Sequence, residues 1–223
     1  MIGVVTGLGA EARCLGGLEV AVACSGGRPA RARAEATRLL AEGAASLVSF
    51  GLAGGLSPAV ASGDLVLADA VVLPNGERIA TDLAWRSRLS ALIGFTGRAP
   101  HQAAVAGSDR LLATVAAKRA LFAATGALAV DMESHAVAEV AHAAGRQFLV
   151  LRAIADPAEQ TLPRAATVAL GPSGEVRLLA VARTLLERPA ELPALLRLGG
   201  QSRRALAALR RVVLLAGPGL AFS

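Results

Sequence analysis

Short apolar runs and longer amphipathic stretches alternate along most of the chain. The apolar runs are rich in valine, leucine and alanine and are bounded by glycine, serine or aspartate, which is typical of buried strands. They occupy residues 2–6, 20–24, 46–51, 64–73, 103–107, 127–131 and 148–155. Helical periodicity separates several of them, at residues 29–42, 81–92, 109–124 and 134–144, with Asp109 as the N-cap of the third helix. This order predicts a single α/β domain, a mixed β-sheet flanked by helices.

The pattern changes near residue 185, where the chain becomes helical and rich in arginine. We therefore divide it into a main domain of residues 1–185 and a C-terminal tail of residues 186–223. In the tail Leu206, Leu209 and Val213 recur at helical spacing, which predicts an amphipathic helix. Its basic surface comes from Arg203, Arg204, Arg210 and Arg211. Such a helix either packs on its own domain or on a second subunit, or docks at an anionic membrane surface.

Composition narrows the classes of protein. The chain has 223 residues, 54% of them hydrophobic, which suffices for one substantial core. Neither a signal peptide nor a spanning helix is indicated, so we expect a cytoplasmic protein. Most of the net charge of +6 comes from the tail, and aromatic residues make up only 3%, so we expect no nucleic-acid partner. Cys14 and Cys24 lack metal-ligand spacing and are expected to be free thiols.

Acidic or glycine-rich segments follow three predicted strands, at the positions where α/β proteins bind ligands. Glu11 follows the glycine-rich turn after the first strand, and Asp156 ends an apolar run directly before a proline. Between them in sequence, FGLAGG at residues 50–55 lets a ligand approach the main chain at Gly54 and Gly55. Each feature taken singly also has an ordinary structural explanation, as a helix start or a turn.

Together these segments resemble a known family. IGVVTGLGAEA, SFGLAGGLSPAVASGDLVLADAVV, AVDMESHAVAEVA and VLRAIADPA are similar, in order and spacing, to the purine nucleoside phosphorylase and nucleosidase superfamily, which includes the methylthioadenosine/S-adenosylhomocysteine nucleosidases. The resemblance spans about residues 1–160. Within that superfamily, FGLAGG, ADPAEQTLPRAA and the arginine-rich tail are most similar to the hopanoid-associated phosphorylases, which are implicated in removing adenine from adenosylhopane. The resemblance implies a nucleoside phosphorylase-like catalytic domain and an enzyme that cleaves the N-glycosidic bond of a purine nucleoside.

The resemblance also implies roles for individual residues. Cleavage places positive charge on C1′ and negative charge on the base, so the site needs an anion near the ribose and a proton donor at the base. Glu133 would bind the ribose hydroxyls, and Met132 would contact the sugar. Asp156 would protonate N7 of the purine, and Glu11 would orient or deprotonate the attacking water. Arg152, on the strand of Asp156, either reaches the nucleophile or pairs with a buried acid.

Several positions depart from the family pattern. Leu52 and Ala155 replace serines that are common in the nucleosidases, and Leu111 and Leu112 stand where those enzymes present an aromatic residue beside the base. Asp131, next to Met132 in AVDMES, is expected to be structural. These differences leave both the nucleophile and the thioadenosine specificity open.

The choice between water and phosphate rests on CSGGRPARAR, residues 24–33. Gly26, Gly27 and Arg28 precede a helix whose first turn contains Pro29, an arrangement suited to an anion, although a turn followed by a solvated basic helix explains it equally. With Leu52 in place of a hydroxyl, hydrolysis is favoured slightly over phosphorolysis. No cofactor is expected beyond inorganic phosphate as a co-substrate. The histidines at 101, 135 and 142 are expected to be structural or exposed, with no metal site.

The expected partner is a small-molecule nucleoside that is lipid-linked if the hopanoid resemblance holds. The resemblance implies a homodimer or larger assembly, and the tail suggests peripheral contact with the inner face of the membrane. Alternative functions are a methylthioadenosine/S-adenosylhomocysteine nucleosidase, a general purine nucleoside phosphorylase and, in a different class, an inactive nucleoside-binding module. The joint presence of Glu11, Glu133 and Asp156 argues against the inactive module.

Overall fold

The structure, a computed structural model, describes residues 1–95, 99–168 and 178–221. Its strands are β1 (Ile2–Thr6), β2 (Val20–Cys24), β3 (Ser46–Gly55), β4 (Leu65–Leu67), β5 (Ala70–Val72), β6 (Arg78–Ala80), β7 (Val105–Gly107), β8 (Ala129–Asp131) and β9 (Gln147–Asp156). Its helices are α1 (Gly9–Ala12), α2 (Pro29–Ala41), α3 (Leu83–Gly94), α4 (Val115–Thr125), α5 (Ser134–Ala143), α6 (Arg164–Thr167), α7 (Leu178–Glu187) and α8 (Leu192–Ala216), with short 3₁₀ turns at Arg13–Leu15 and Pro189–Glu191.

The described strands form one mixed sheet. Its main path runs β2-β1-β3-β8-β7-β5-β6, and β9 pairs with β3 and β4 beside that path. The pairs β1–β2, β1–β3 and β3–β9 are parallel, whereas β8 is antiparallel to β3 and β4 is antiparallel to β9. The predicted fold class, a mixed sheet flanked by helices, is confirmed.

Helices cover both faces of the sheet. On one face, Ala36 and Leu39 of α2 and Val137 of α5 belong to one apolar cluster with residues of the strands. On the other face, Leu89 of α3 and Leu209 of α8 belong to a second cluster. Burial from both sides explains why the strands appear in the sequence as continuous apolar runs rather than as alternating ones.

The tail packs on the main domain through α8. Leu209 and Val213 are buried in the core, and Leu206 is half-buried against the same cluster. The Nε1 atom of Trp85, on α3, donates a hydrogen bond to the carbonyl of Leu220, beyond the end of α8, at 2.7 Å. The apolar stripe therefore faces the core, as in the first of the two alternatives that the sequence left open for this helix. In the parts of the chain that are described, no helix is long and apolar enough to cross a membrane.

Two predicted elements differ from the observed ones. The apolar run at residues 64–73 forms two short strands, β4 and β5, instead of one. The helix predicted from Asp109 begins at Val115, with Thr114 as N-cap, because the Thr114 hydroxyl accepts the N–H of Ala117. The carboxylate of Asp109 instead lies 3.2 Å from Nε2 of His135. Asp109, which was predicted to cap this helix, therefore contacts a histidine that lies 26 residues further along the chain.

Candidate active site

A cavity of about 150 Å³ lies where several strand ends meet. Within the sheet, Gly54 of β3 pairs with Val130 of β8 on one side and with Asp156 of β9 on the other, at an irregularity in the β3–β9 register. The turn between β1 and α1 completes the wall. Glu11, Met132, Glu133 and Asp156 all line this cavity, so the structure brings together acids from three separate segments of the chain.

Glu11 is held entirely by backbone donors. Its Oε2 atom accepts hydrogen bonds from the N–H groups of Gly7 and Leu8, and its Oε1 atom accepts from Leu52, each at 2.8 Å. Burial raises the pKa of Glu11, while Arg152 and these three N–H groups lower it in part. The three bonds fix the carboxylate in one orientation and use N–H groups that would otherwise be free to bind an anion.

Asp131 fixes the start of α5. Its Oδ1 atom accepts hydrogen bonds from the backbone N–H groups of Glu133 at 2.8 Å and Ser134 at 2.7 Å. Its Oδ2 atom lies 2.6 Å from Nε of Arg152. One buried carboxylate thus supplies a helix cap and an ion pair, which places Glu133 at the cavity wall.

Arg152 lies behind the acids and does not line the cavity. Its side chain is fully buried, its Nη2 atom is 3.4 Å from Oε2 of Glu133, and the hydroxyls of Ser49 and Ser134 accept further hydrogen bonds. Of the two alternatives left open by the sequence, the structure shows pairing with acids. Among the described residues, the Nη1 atom is buried without a hydrogen-bond partner.

Glu133 is buried among the other charged groups of the site. Burial raises its pKa to about 8, Arg152 opposes that rise, and Asp131 and Glu11 add to it. The close packing is visible at Gly7, where a Cβ atom would lie 2.7 Å from Oε1 of Glu133. Three carboxyl groups surround one guanidinium, so a proton held on Glu133 relieves their mutual repulsion.

Asp156 is buried and forms an ion pair with Lys118 of α4. Burial raises the pKa of Asp156, and the neighbouring ammonium lowers it in part. Lys118 was not among the predicted site residues. The one feature of the sequence that could have drawn attention to it is that Lys118 is the only lysine of the chain and lies within a predicted helix.

The remaining predicted substrate contacts lie at or beside the cavity. Gly54 and Leu111 line it. Gly55 lies against the segment that follows Asp156, where a Cβ atom would be 3.3 Å from the backbone nitrogen of Ala158. Leu112 lies in a neighbouring open groove of about 930 Å³ that Leu111 also lines. Leu111 therefore connects the cavity with the groove.

The proposed phosphate segment reaches the cavity only in part. Gly27 lines it, but Gly26 and Arg28 do not, and Arg28 is exposed at the N-cap of α2. The two glycines have positive φ angles of 70° and 69°, which explains why glycine occupies both positions. The structure places the arginine of this segment outside the cavity.

Two of the three histidines lie beside acids. His135 contacts Asp109, and Nε2 of His101 lies 3.5 Å from Oδ2 of Asp64. Within residues 1–95, 99–168 and 178–221, no group of three or more histidine, cysteine or acidic side chains could hold a metal ion.

The fold and the cavity together define a class of protein: an α/β domain with acids gathered beyond the strand ends, built to bind a small polar molecule. The model of the Phosphorylase superfamily matches residues 8–187. The chain belongs to this superfamily, and the expected enzyme class, cleavage of a glycosyl bond, is confirmed at that level. No curated protein matches the sequence significantly.

Solved structures with the same fold include two nucleosidases and a hydrolase. A putative 5′-methylthioadenosine/S-adenosylhomocysteine nucleosidase from Francisella philomiragia is 17% identical, with a TM-score of 0.73 and 96% of each chain covered. Futalosine hydrolase of Helicobacter pylori is 18% identical, with a TM-score of 0.70 over 95% of this chain and 96% of that one. S-adenosylhomocysteine nucleosidase from Streptococcus pyogenes is 19% identical, with a TM-score of 0.68 over 93% and 94% of the two chains.

Proposed function

We propose that the protein hydrolyses the N-glycosidic bond of an adenine nucleoside. The observation that carries this proposal is the joint burial of Glu11, Glu133 and Asp156 in one cavity, each held by a different set of contacts. Two acids with separate environments are what the reaction needs, one to give a proton to the leaving base and one to handle the nucleophile.

In the proposed mechanism, Asp156 gives its proton to N7 of the purine as the bond between C1′ and N9 breaks. The bonding electrons remain on the base, which leaves as neutral adenine. Positive charge develops at C1′ and is stabilised by the carboxyl group of Glu133, which also binds the ribose hydroxyls. Met132 contacts the sugar. Water attacks C1′ and gives its proton to Glu11, whose position is set by its three backbone hydrogen bonds.

The contacts of Glu11 favour water over phosphate as the nucleophile. Its carboxylate already occupies the N–H groups of Gly7, Leu8 and Leu52. A phosphate placed beside it would meet the negative charge of Glu11 without the compensation of Arg28, which is exposed outside the cavity. These contacts support hydrolysis, because an uncharged water molecule is compatible with the acids.

For the substrate we propose a nucleoside with an apolar 5′ substituent, with adenosylhopane as the member that the sequence resemblance indicates. Leu111 joins the cavity to the open groove, and Leu112, Leu121 and Pro74 also line that groove. A hydrocarbon attached at the 5′ position could lie along such a surface. Methylthioadenosine, S-adenosylhomocysteine and futalosine are the alternative substrates, because proteins of the same fold are named for them.

Assembly and membrane contact are further parts of the proposal. The arginines of α8 at positions 203, 204, 210 and 211 are exposed, and Leu214 between this basic surface and the C-terminus is 77% exposed. We propose that this surface binds an anionic membrane reversibly, since each arginine near such a surface contributes about 1 kcal/mol. The resemblance further implies a homodimer or larger assembly, which light scattering tests.

The deciding experiment measures adenine release from adenosine, methylthioadenosine and adenosylhopane, each with and without phosphate. We expect release that does not depend on phosphate and that yields a free sugar instead of a sugar 1-phosphate. A phosphate requirement would replace hydrolysis by phosphorolysis. Absence of release from every nucleoside, together with nucleoside binding by calorimetry, would establish the inactive binding module.

The lipid part of the proposal has a separate test. The protein should sediment with anionic liposomes at low salt and be released as salt rises. Replacing the arginines at positions 203, 204, 210 and 211 by glutamine should abolish sedimentation and slow adenosylhopane cleavage while leaving adenosine cleavage unchanged. If the variant changed the rates of adenosylhopane and adenosine cleavage by the same factor, this result would contradict a membrane role for α8.

A further inference from the structure

The single residue that α4 buries is a lysine. The side chain of Lys118 is 1% exposed, whereas the other residues of α4 are half-buried or exposed. A helix that contacts its domain through one buried residue would ordinarily use an apolar side chain, because burying an ammonium group is costly unless its protons are bonded. The role of Lys118 should therefore be sought in the groups that it contacts.

The ammonium group of Lys118 has three acceptors. It forms an ion pair with Oδ2 of Asp156 and donates hydrogen bonds to the carbonyl oxygens of Pro157 at 2.8 Å and Gln160 at 3.0 Å. Three acceptors match the three protons of an ammonium group. All three belong to Asp156 or to the four residues after it, so Lys118 joins α4 to the segment that carries the proposed acid.

We propose that Lys118 is a positioning residue for Asp156: it holds one carboxyl oxygen, leaves the other for the nucleoside, and stabilises the carboxylate that remains after proton transfer. This inference rests on the proposed function, in which Asp156 protonates N7 of the base. Lys118 does not line the cavity and is not assigned a contact with substrate.

The proton balance of this step is simple. Asp156 enters this step in its protonated form, with Oδ2 accepting a hydrogen bond from the ammonium group of Lys118, and their ion pair re-forms once the proton has left. The proton passes to N7, and the resulting carboxylate is paired with the ammonium group, which keeps all of its protons. The acid then regains its proton from solvent after adenine has left. Burial raises the pKa of Asp156, which keeps the proton in place, and Lys118 lowers it in part, which makes the proton easier to transfer.

Other charged groups around Asp156 have their own contacts. Glu11 and Glu133 line the same cavity, but the first is bonded to backbone N–H groups and the second lies beside Arg152. Glu159, on the loop after Asp156, is exposed. In the described part of the chain, Lys118 is therefore the charged group in direct contact with the acid.

The test compares Lys118→Met with Arg119→Met. Both variants remove one positive charge from α4, but Arg119 is exposed and serves as the matched control. The rate of adenine release is measured over a range of pH. For Lys118→Met, kcat should fall by about 10- to 100-fold because the acid is no longer oriented. The basic limb of the kcat/KM profile should move up by about one to three pH units, because Asp156 loses an adjacent positive charge. Arg119→Met should show neither effect.

Further variants separate positioning from folding. Lys118→Gln keeps a hydrogen-bond donor for the two carbonyls but has no charge, so it should show the same shift of the basic limb with a smaller loss of kcat. In an Asp156→Asn background, Lys118→Met should change the rate by less than about twofold, because there is no acid left to position. Circular dichroism shows whether each variant is folded.

Two results would overturn the proposal. One is an unchanged basic limb in both folded Lys118 variants, even if kcat falls, since a purely structural role lowers the rate without moving the profile. The other is a rate loss of Lys118→Met that is undiminished in the Asp156→Asn background. Failure of the proposed function looks different, because the unaltered protein would then release no adenine at any pH.

Discussion

A Cβ atom on Gly51 would lie 2.5 Å from the carboxyl carbon of Glu11, closer than two such atoms can approach without contact strain. The carboxyl group of Glu11 therefore packs directly against the backbone of Gly51. The backbone N–H of Leu52, the next residue, donates a hydrogen bond that holds the carboxylate in this position. The two residues are forty positions apart in sequence. Their contact explains why this point of β3 requires glycine.

We predict that Gly51→Ala displaces Glu11 and lowers kcat by about 100-fold or more, since a misplacement of about 1 Å in a catalytic group has effects of that size. Adenine release and the melting temperature are measured together. Gly9→Ala is the control, because the nearest atom to a Cβ there is 3.7 Å away. Full activity in folded Gly51→Ala would show that the position of Glu11 does not matter for turnover.

Asp156→Asn should retain nucleoside binding and lose about 10²- to 10⁴-fold in kcat, because an amide cannot supply the proton for N7. Binding is measured by calorimetry and turnover by adenine release. Glu159→Gln, at an exposed carboxylate outside both the cavity and the groove, is a suitable control. Near-normal turnover in Asp156→Asn would remove the general-acid assignment.

Glu133→Gln should change how the stability of the protein depends on pH. The pKa of Glu133 is raised from 4.5 to about 8, so between these values the folded protein binds more protons than the unfolded chain. The stabilisation that this proton provides is fully present below about pH 4.5 and is lost as pH rises through about 8. Glutamine cannot ionise, so the variant does not lose this stabilisation. The melting temperature of the variant minus that of the unaltered protein should therefore increase as pH rises from about 4.5 to about 8.

The same Glu133→Gln variant should release adenine more slowly, because the amide cannot become the carboxylate that stabilises the charge developing at C1′. Glu139→Gln removes a carboxylate from the solvent-accessible side of α5 and serves as the control for both measurements. A melting-temperature difference that does not depend on pH would contradict the raised pKa. An effect confined to KM would limit Glu133 to binding the ground state.

Asp131→Ala should destabilise the protein by about 3–5 kcal/mol, because it leaves the guanidinium of Arg152 buried with one fewer partner and removes the cap of α5. Urea unfolding followed by circular dichroism measures the change. Asp131→Asn keeps an oxygen for the cap but not the charge, so its loss should be intermediate. A loss below about 1 kcal/mol in the alanine variant would mean that Glu133 alone balances Arg152.

Local pattern was sufficient for most of the sheet. The runs at residues 2–6 and 20–24 coincide with β1 and β2, and the run at 148–155 differs from β9 by one residue at each end. A strand that is buried on both faces needs a continuous apolar run, so its signal is contained in its own few residues. Strand β6 was missed because only its middle residue, Ile79, is buried, so no apolar run marks it in the sequence.

The acids of the site were also accessible from the sequence, through their positions after strands and the family resemblance. Their roles remain part of the proposal, but the structure does bring Glu11, Glu133 and Asp156 to one cavity. Lys118 was not accessible in this way. Its contact with Asp156 spans 38 residues, and no local pattern distinguishes a lysine that turns inward from one that faces solvent.

By itself, the sequence determined the alternation of strands and helices, the mixed α/β class and the amphipathic character of the C-terminal helix. Only the tertiary structure decided what that helix covers, which side chain caps α4, and which partner each buried charge takes. An amphipathic period indicates that one face of α8 must be shielded from water. Burial of Leu209 and Val213 in the core satisfies this requirement as well as a membrane would. The choice among such partners depends on contacts between residues far apart in the chain, and those exist only once the strands have paired.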